Sequence, residues 1–218
     1  MNVGAMLRDG RIGMIDIGRS LSDEQAAMGV PGCPEWTIRD VYAHQAGVVT
    51  DVLAGRIEGV ATDPWTARQV EERADHSLTQ ILDEWEAGAP QFEEMFKDGG
   101  VPEAIFDQWT HEQDIRCTID RPGNRDDARA KFVVEQMVSS LASSWERDPI
   151  TVVAESGTFH FGDGDPKITL RASDYDLARV FFGRRSRAQV LEMDWDGDPE
   201  PVIDALCVFS FAENDQPV

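Results

Sequence analysis

The chain has 218 residues, 41% of them apolar, and a formal net charge of −21 from 41 acidic and 20 basic side chains. The apolar share is that of a folded soluble protein and excludes wholesale disorder. So negative a surface repels phosphate backbones and anionic lipid, so neither nucleic acid nor a membrane is an expected partner.

No stretch reaches the eighteen or so apolar residues of a membrane helix. The opening MNVGAMLRDGRIGM has no apolar core of signal-peptide length. Cys33, Cys117 and Cys207 are odd in number, far apart and outside any C-x-x-C pair, which suits reduced thiols. A cytoplasmic protein is the expectation.

In chain order, Met6 to Leu21 reads as a weak helix, diluted by Gly10, Gly13 and Gly18. PGCPEW reads as a loop. Thr37 suits the N-cap of a second helix, along which Ile38, Val41, Tyr42, Val48, Val49, Val52 and Leu53 form one apolar arc. ATDPWTARQ reads as a polar loop. A third helix is predicted from about Ser77 to Lys97, with Ile81, Leu82, Trp85, Phe92 and Phe96 on its buried side, and Gly99-Gly100 breaks it. Pro102 opens a fourth helix that ends before Arg121-Pro122-Gly123.

Beyond Gly123 the texture changes. A fifth helix is predicted over Asp126 to Trp145, followed by strand patterns in ITVVAE, TFHFG and KITLRA with turns at Ser156-Gly157 and GDGDP. Ser173 and Asp174 start another helix that Gly183 ends, and a last helix is expected around Pro199 to Phe209. The fold class is therefore a mixed α plus α/β chain: a four-helix bundle over 1–122, then a small α+β domain over 123–218.

Three polar residues stand out. Asp107 and His111 are four apart on the fourth helix and so share a face. That face also carries Ala104 and Ile115, which turns the pair into the bundle. His44 lies at the edge of the apolar arc of the second helix. A buried carboxylate needs a partner. A hydrogen bond to a histidine, an arginine or a divalent cation could each supply one. Three N/O ligands with a fourth position open is the construction of a catalytic zinc site. Asp114, on the same side, could accept a hydrogen bond that orients His111.

Other motifs carry less. His76 precedes a helix and is expected in solvent, and His160 points away from the apolar face of Phe159 and Phe161. DWDGDPEP has the spaced aspartates of a calcium loop, but Ala205 stands where a bidentate glutamate is needed, so a turn is expected. There is no P-loop, no G-x-G-x-x-G opening a helix and no nucleophile elbow. Arg184, Arg185 and Arg187 form a basic cluster in an acidic chain. They could bind an anion or merely complement the preceding helix dipole.

The segments LSDEQ, PEWTIRDVYAHQAG, DPWTARQVEERADHSLTQILDEWEAGAP and WTHEQDIR resemble the mycothiol-dependent maleylpyruvate isomerase family of actinobacteria, whose N-terminal domain is a DinB-like bundle. DLARVFFGRRSRAQVLEMDWDGDPEPVIDAL is similar to that family's sterol-carrier-like C-terminal domain, so the resemblance spans nearly the whole chain. In that family zinc is held by a histidine of the second helix and a Glu-x-x-x-His pair of the fourth. The matching positions here are His44, Asp107 and His111, so aspartate replaces glutamate, one methylene shorter.

The resemblance implies zinc or a similar divalent ion, mycothiol as thiol cosubstrate and a small electrophile such as maleylpyruvate. It implies either cis–trans isomerisation or S-transfer, with Arg184 as the catalytic arginine and Arg185 and Arg187 as further anion contacts. A monomer or homodimer is expected. The residues alone leave open a non-catalytic ligand- or partner-binding bundle and a metal-dependent hydrolase.

Overall fold

Side-chain caps set most of the helix starts in the first unit of this protein. The structure, a computed structural model, describes residues 2–217 and divides into two compact units, Met1–Arg121 and Pro122–Val218. In the first unit, Asn2 caps α1 (Val3–Ser20), and Ser22 caps the short α2 (Asp23–Ala26). Thr37 and Asp40 form a reciprocal capping box at α3 (Ile38–Leu53), and Ser77 and Gln80 form another at α5 (Leu78–Met95). α6 spans Glu103–Thr118 behind Pro102.

α1, α3, α5 and α6 make the four-helix bundle, α5 lying against both α1 and α3 and α6 against α1 and α3. Met14, Ile38, Tyr42, Ile81, Trp85, Ile105, Trp109 and Ile115 fill its centre. The Tyr42 hydroxyl donates to the Met14 carbonyl at 2.6 Å, so its polar end is satisfied inside the core.

Three local expectations for this unit are corrected. The first helix is not weak: it begins three residues earlier and runs for 18 residues, because its glycines serve packing. A Cβ on Gly4 would lie 2.1 Å from the Glu93 carbonyl oxygen on α5. PGCPEW is not a plain loop. Cys33–Thr37 forms β2, antiparallel to β1 (Gly29–Val30). ATDPWTARQ is largely helical, as α4 (Asp63–Glu71). Only Trp65 and Gln69 of α4 are buried, too few positions to print an apolar period on so polar a segment.

In the second unit, α7 (Ala128–Ser143) starts at the Asp127 cap. It is followed by β3 (Ile150–Val153), β4 (Thr158–Phe161) and β5 (Ile168–Arg171). The sheet order is β4-β3-β5-β6, with β3 antiparallel to β4 and parallel to β5. Ile150, Val152, Phe161, Ile168 and Leu170 are the buried side chains of the strands, and α7 packs on α8 (Asp174–Phe181).

DWDGDPEP is not only a turn: Asp194–Asp196 is β6, the edge strand beside β5. The expected last helix is a single 3-10 turn, Ile203–Leu206, which ends where Cys207 turns to an extended backbone. A short helix the sequence reading missed, α9 (Arg187–Leu191), opens at a Ser186–Gln189 capping box. Among the described residues the chain thus has nine α-helices and two sheets, the mixed class expected.

Helix propensity alone makes Gly4→Ala stabilising by up to about 1 kcal/mol. The backbone carbonyl of Glu93 cannot step aside, so a loss of about 1–3 kcal/mol is expected instead. Urea unfolding of the purified variant reads the sign directly.

Candidate metal centre

The i, i+4 spacing on α6 brings Asp107 and His111 together, and α3 delivers His44 to the same point. Asp107 Oδ1 lies 3.2 Å from His44 Nε2 and 3.4 Å from His111 Nε2. One donor atom from each residue falls within 4.8 Å of the other two. The histidines are 2% and 7% exposed, whereas the Asp107 side chain keeps 35% of its surface. The cluster is therefore walled by imidazole and approached past the carboxylate. Gln45 donates to the other oxygen, Oδ2, at 2.6 Å and leaves Oδ1 facing the two rings.

The outer nitrogens decide what the inner ones can do. Asp51 is fully buried and ion-paired with Arg56 at 2.5 Å and Arg68 at 3.2 Å. As a carboxylate it only accepts, so the Gln69 amide nitrogen, 2.9 Å away, donates to it. That orients the Gln69 carbonyl oxygen at His44 Nδ1, 2.7 Å distant, where it must receive an N–H. Neutral His44 consequently presents a lone pair at Nε2. Asp114 Oδ2 stands 3.4 Å from His111 Nδ1 and imposes the same tautomer on the second ring.

Two nitrogen lone pairs and one carboxylate oxygen thus face a common point, and something positive has to stand among them. A proton is one answer. Burial works against the Asp107 charge, yet the two histidines hold its carboxyl well below the usual carboxylate range. Burial likewise opposes a charged His111, and Asp107, Cys33 and Asp114 together outweigh it to raise that imidazole well above its ordinary value. A divalent cation is the other answer, and this donor set, two imidazoles and a carboxylate, is one that zinc accepts.

Neighbouring residues shape the surroundings. Gly47, one turn beyond His44, is packed against α4: a Cβ there would lie 2.5 Å from Gln69 Cβ. The bare backbone lets Gln69 reach His44. Trp36 of β2 stacks obliquely on both imidazoles, with centroids 5.2 and 5.9 Å away, and Trp65 meets His44 edge-on. A small pocket lined by Gln45, Trp85, Phe92, Asp107 and Gln108 opens beside the carboxylate.

Trp36, Gln45, Asp51 and Gln69 were not singled out from the sequence. Gln45 adjoins His44 and could have been suspected. Gln69 could not, because its segment reads as a loop.

In the second unit, Gly183 (φ 70°) follows α8 in the left-handed conformation, and the Arg184 N–H bonds the Arg179 carbonyl at 2.7 Å. Arg184 is half-buried, and its guanidinium donates to the Phe182 carbonyl at 2.8 Å. Arg185 is buried against Asp176 at 2.9 Å and lies over the Tyr175 ring. Arg187 pairs with Glu200 at 2.6 Å and Asp204 at 3.2 Å. The last two guanidiniums are already engaged by carboxylates of their own unit.

His76 is exposed, as expected. His160 is also exposed and bonds Thr151 at 3.0 Å. Burial pushes the Cys207 thiol up, away from nucleophile chemistry at neutral pH.

A helical bundle with a histidine–aspartate–histidine cluster at its centre, joined to a small α+β unit, defines the class of protein. Residues 7–105 match the family model of the mycothiol maleylpyruvate isomerase N-terminal domain. That match lies wholly within the first unit. The fold as a whole is similar to the crystal structure of the mycothiol-dependent maleylpyruvate isomerase, with a TM-score of 0.58 and 12% identity over 91% of this chain and 94% of that one. A histidine-to-alanine mutant of that enzyme gives a TM-score of 0.57 at 11% identity with the same coverage. No curated protein matches by sequence.

If Gln69 sets the His44 tautomer, Gln69→Leu should weaken zinc binding about 10- to 100-fold while the helical circular dichroism stays unchanged. Competition against a fluorescent chelator measures this, and undiminished affinity would show that the relay from Asp51 is irrelevant to the site.

Proposed function

We propose that this protein is a divalent-metal enzyme that uses a low-molecular-weight thiol, mycothiol, to isomerise or S-conjugate a small electrophile of the maleylpyruvate kind. The observation that supports it most is the convergence of both Nε2 atoms on one Asp107 oxygen with both Nδ1 atoms tied to acceptors. His44, Asp107 and His111 are the residues that would hold the cation. The chemistry such an ion supplies is deprotonation of a thiol that reaches its open position.

The chain's own side chains do the remainder. Gln45 fixes the rotation of the Asp107 carboxylate. Trp36 and Trp65 pack against the imidazoles and thin the water around them, which strengthens every charge interaction there. An anionic electrophile needs a cationic contact in a chain this acidic. Arg184 is our candidate, on the strength of the family resemblance and of its setting at the α8 turn. With Arg185 and Arg187 neutralised by carboxylates, neither enters the proposal.

Aspartate in place of glutamate fits this arrangement. The shorter side chain still places Oδ1 within hydrogen-bond reach of both imidazoles, and Gln45 takes up the other oxygen. No lengthening of the side chain is needed for the three donors to meet.

Purified protein is expected to carry zinc and to consume maleylpyruvate only when mycothiol is present. His111→Ala should lose bound zinc, and both His111→Ala and His44→Ala should lose thiol-dependent turnover by at least about 100-fold, as metal-site damage does. Full zinc in His111→Ala together with full turnover in both variants would sink the reading. Arg184→Ala should cut turnover while leaving zinc content intact.

Acid should weaken the cation's hold. His111 titrates above its ordinary value, so below that raised pKa zinc must displace a proton. Apparent affinity therefore falls as pH is lowered through neutrality, and calorimetry in buffers of different ionisation enthalpy counts the protons released.

A further inference from the structure

His111 has a second nitrogen, and its surroundings are as organised as those of the first. Nδ1 lies 3.4 Å from Asp114 Oδ2 and 3.9 Å from Cys33 Sγ, while Cys33 Sγ and Asp114 Oδ2 are 3.7 Å apart. The three atoms come from two elements. His111 and Asp114 share a face of α6 at i, i+3, and Cys33 opens β2, its Cα paired with Val30 of β1. β1 packs on α6, so the hairpin holds the thiol over that face. Asp114 and His111 are 2% and 7% exposed, and Cys33 is half-buried.

We propose that Cys33, His111 and Asp114 form a second cation site, selective for a thiophilic divalent ion such as zinc, on the opposite nitrogen of the same imidazole. The spacing supports this. Bonds of about 2.3 Å to sulfur, 2.05 Å to nitrogen and 2.1 Å to oxygen, set at tetrahedral angles, put S···N and S···O about 3.6 Å apart and N···O about 3.4 Å apart. The observed 3.9, 3.7 and 3.4 Å need only a small inward shift of the sulfur, which sits on a short hairpin rather than inside the bundle.

Charge supports it too. A thiolate and a carboxylate balance one divalent ion, with the thiol proton released to solvent when the ion binds. Sulfur in the donor set favours zinc, cobalt or cadmium over magnesium or calcium. A fourth position would be taken by water or a small ligand.

The two sites compete for one ring. A neutral imidazole coordinates through Nδ1 only when its proton moves to Nε2, where Asp107 Oδ1 accepts it at 3.4 Å. Filling the outer site thus withdraws His111 from the inner donor set, and filling the inner site leaves Nδ1–H donating toward Asp114. The proposal extends the functional reading but stands apart from it, since the outer site uses neither His44 nor Asp107 as a ligand.

The test uses full-length His44→Ala, in which the inner set is broken, titrated with cobalt(II) in thiol-free buffer with a phosphine reductant. The expected result is a near-ultraviolet thiolate-to-cobalt charge-transfer band at one ion per chain, abolished in His44→Ala/Cys33→Ser and in His44→Ala/Asp114→Ala reduced together with affinity by at least tenfold. No such band in His44→Ala, or one that survives Cys33→Ser, overturns the site and leaves Cys33 as a thiol hydrogen-bonded to Asp114. Circular dichroism of each variant confirms that the bundle is folded. The functional reading fails on a different observation, undiminished thiol-dependent turnover by His44→Ala, so the two outcomes are separable.

Discussion

One carboxylate oxygen held between two imidazoles organises the first unit. Asp107, His44 and His111 attract one another only if positive charge is shared among them, and burial makes the need for that charge acute. Much of the surrounding polar structure follows from it. Gln45 and Gln69 each serve one member of the trio, Asp51 orients Gln69, and Arg56 and Arg68 compensate Asp51. A chain of buried polar groups this long is stable only when every link is satisfied, because a single lost partner leaves a desolvated charge.

The helical scaffold is shaped to permit that chain. α4 approaches α3 at Gly47, where there is no side chain to hold it off, and the approach is what puts Gln69 in contact with His44. α1 and α5 meet at Gly4 in the same manner. In both places a glycine that costs helix propensity is retained because the packing of a neighbour requires its absence of bulk.

The contrast between what the sequence reveals and what it hides follows from this. Long amphipathic helices announce themselves: the apolar arc of α3, the Ser77 cap and the stretch from Ile81 to Phe92 are visible as patterns of period and capping. The i, i+4 pair Asp107 and His111 is equally legible, and so is the change of texture from helices to strands in the second half. Three features are not. α4 buries two side chains in nine, β1 is two residues long, and α9 is a five-residue turn among arginines. Each is held by tertiary contact rather than by its own composition. Of the two groups that fix the imidazole tautomers, Gln69 belongs to one of these quiet segments and was hidden, whereas Asp114 lies on α6 beside the ligand pair and could be read with it.

Trp36 carries a consequence of its own. Its indole lies against both imidazoles, 5.2 Å from one centroid and 5.9 Å from the other, on a hairpin that also presents Cys33. Charge arriving at either ring alters the field across that chromophore, so the emission of this one indole tracks the electrical state of both histidines. The bundle has a built-in optical gauge at its centre.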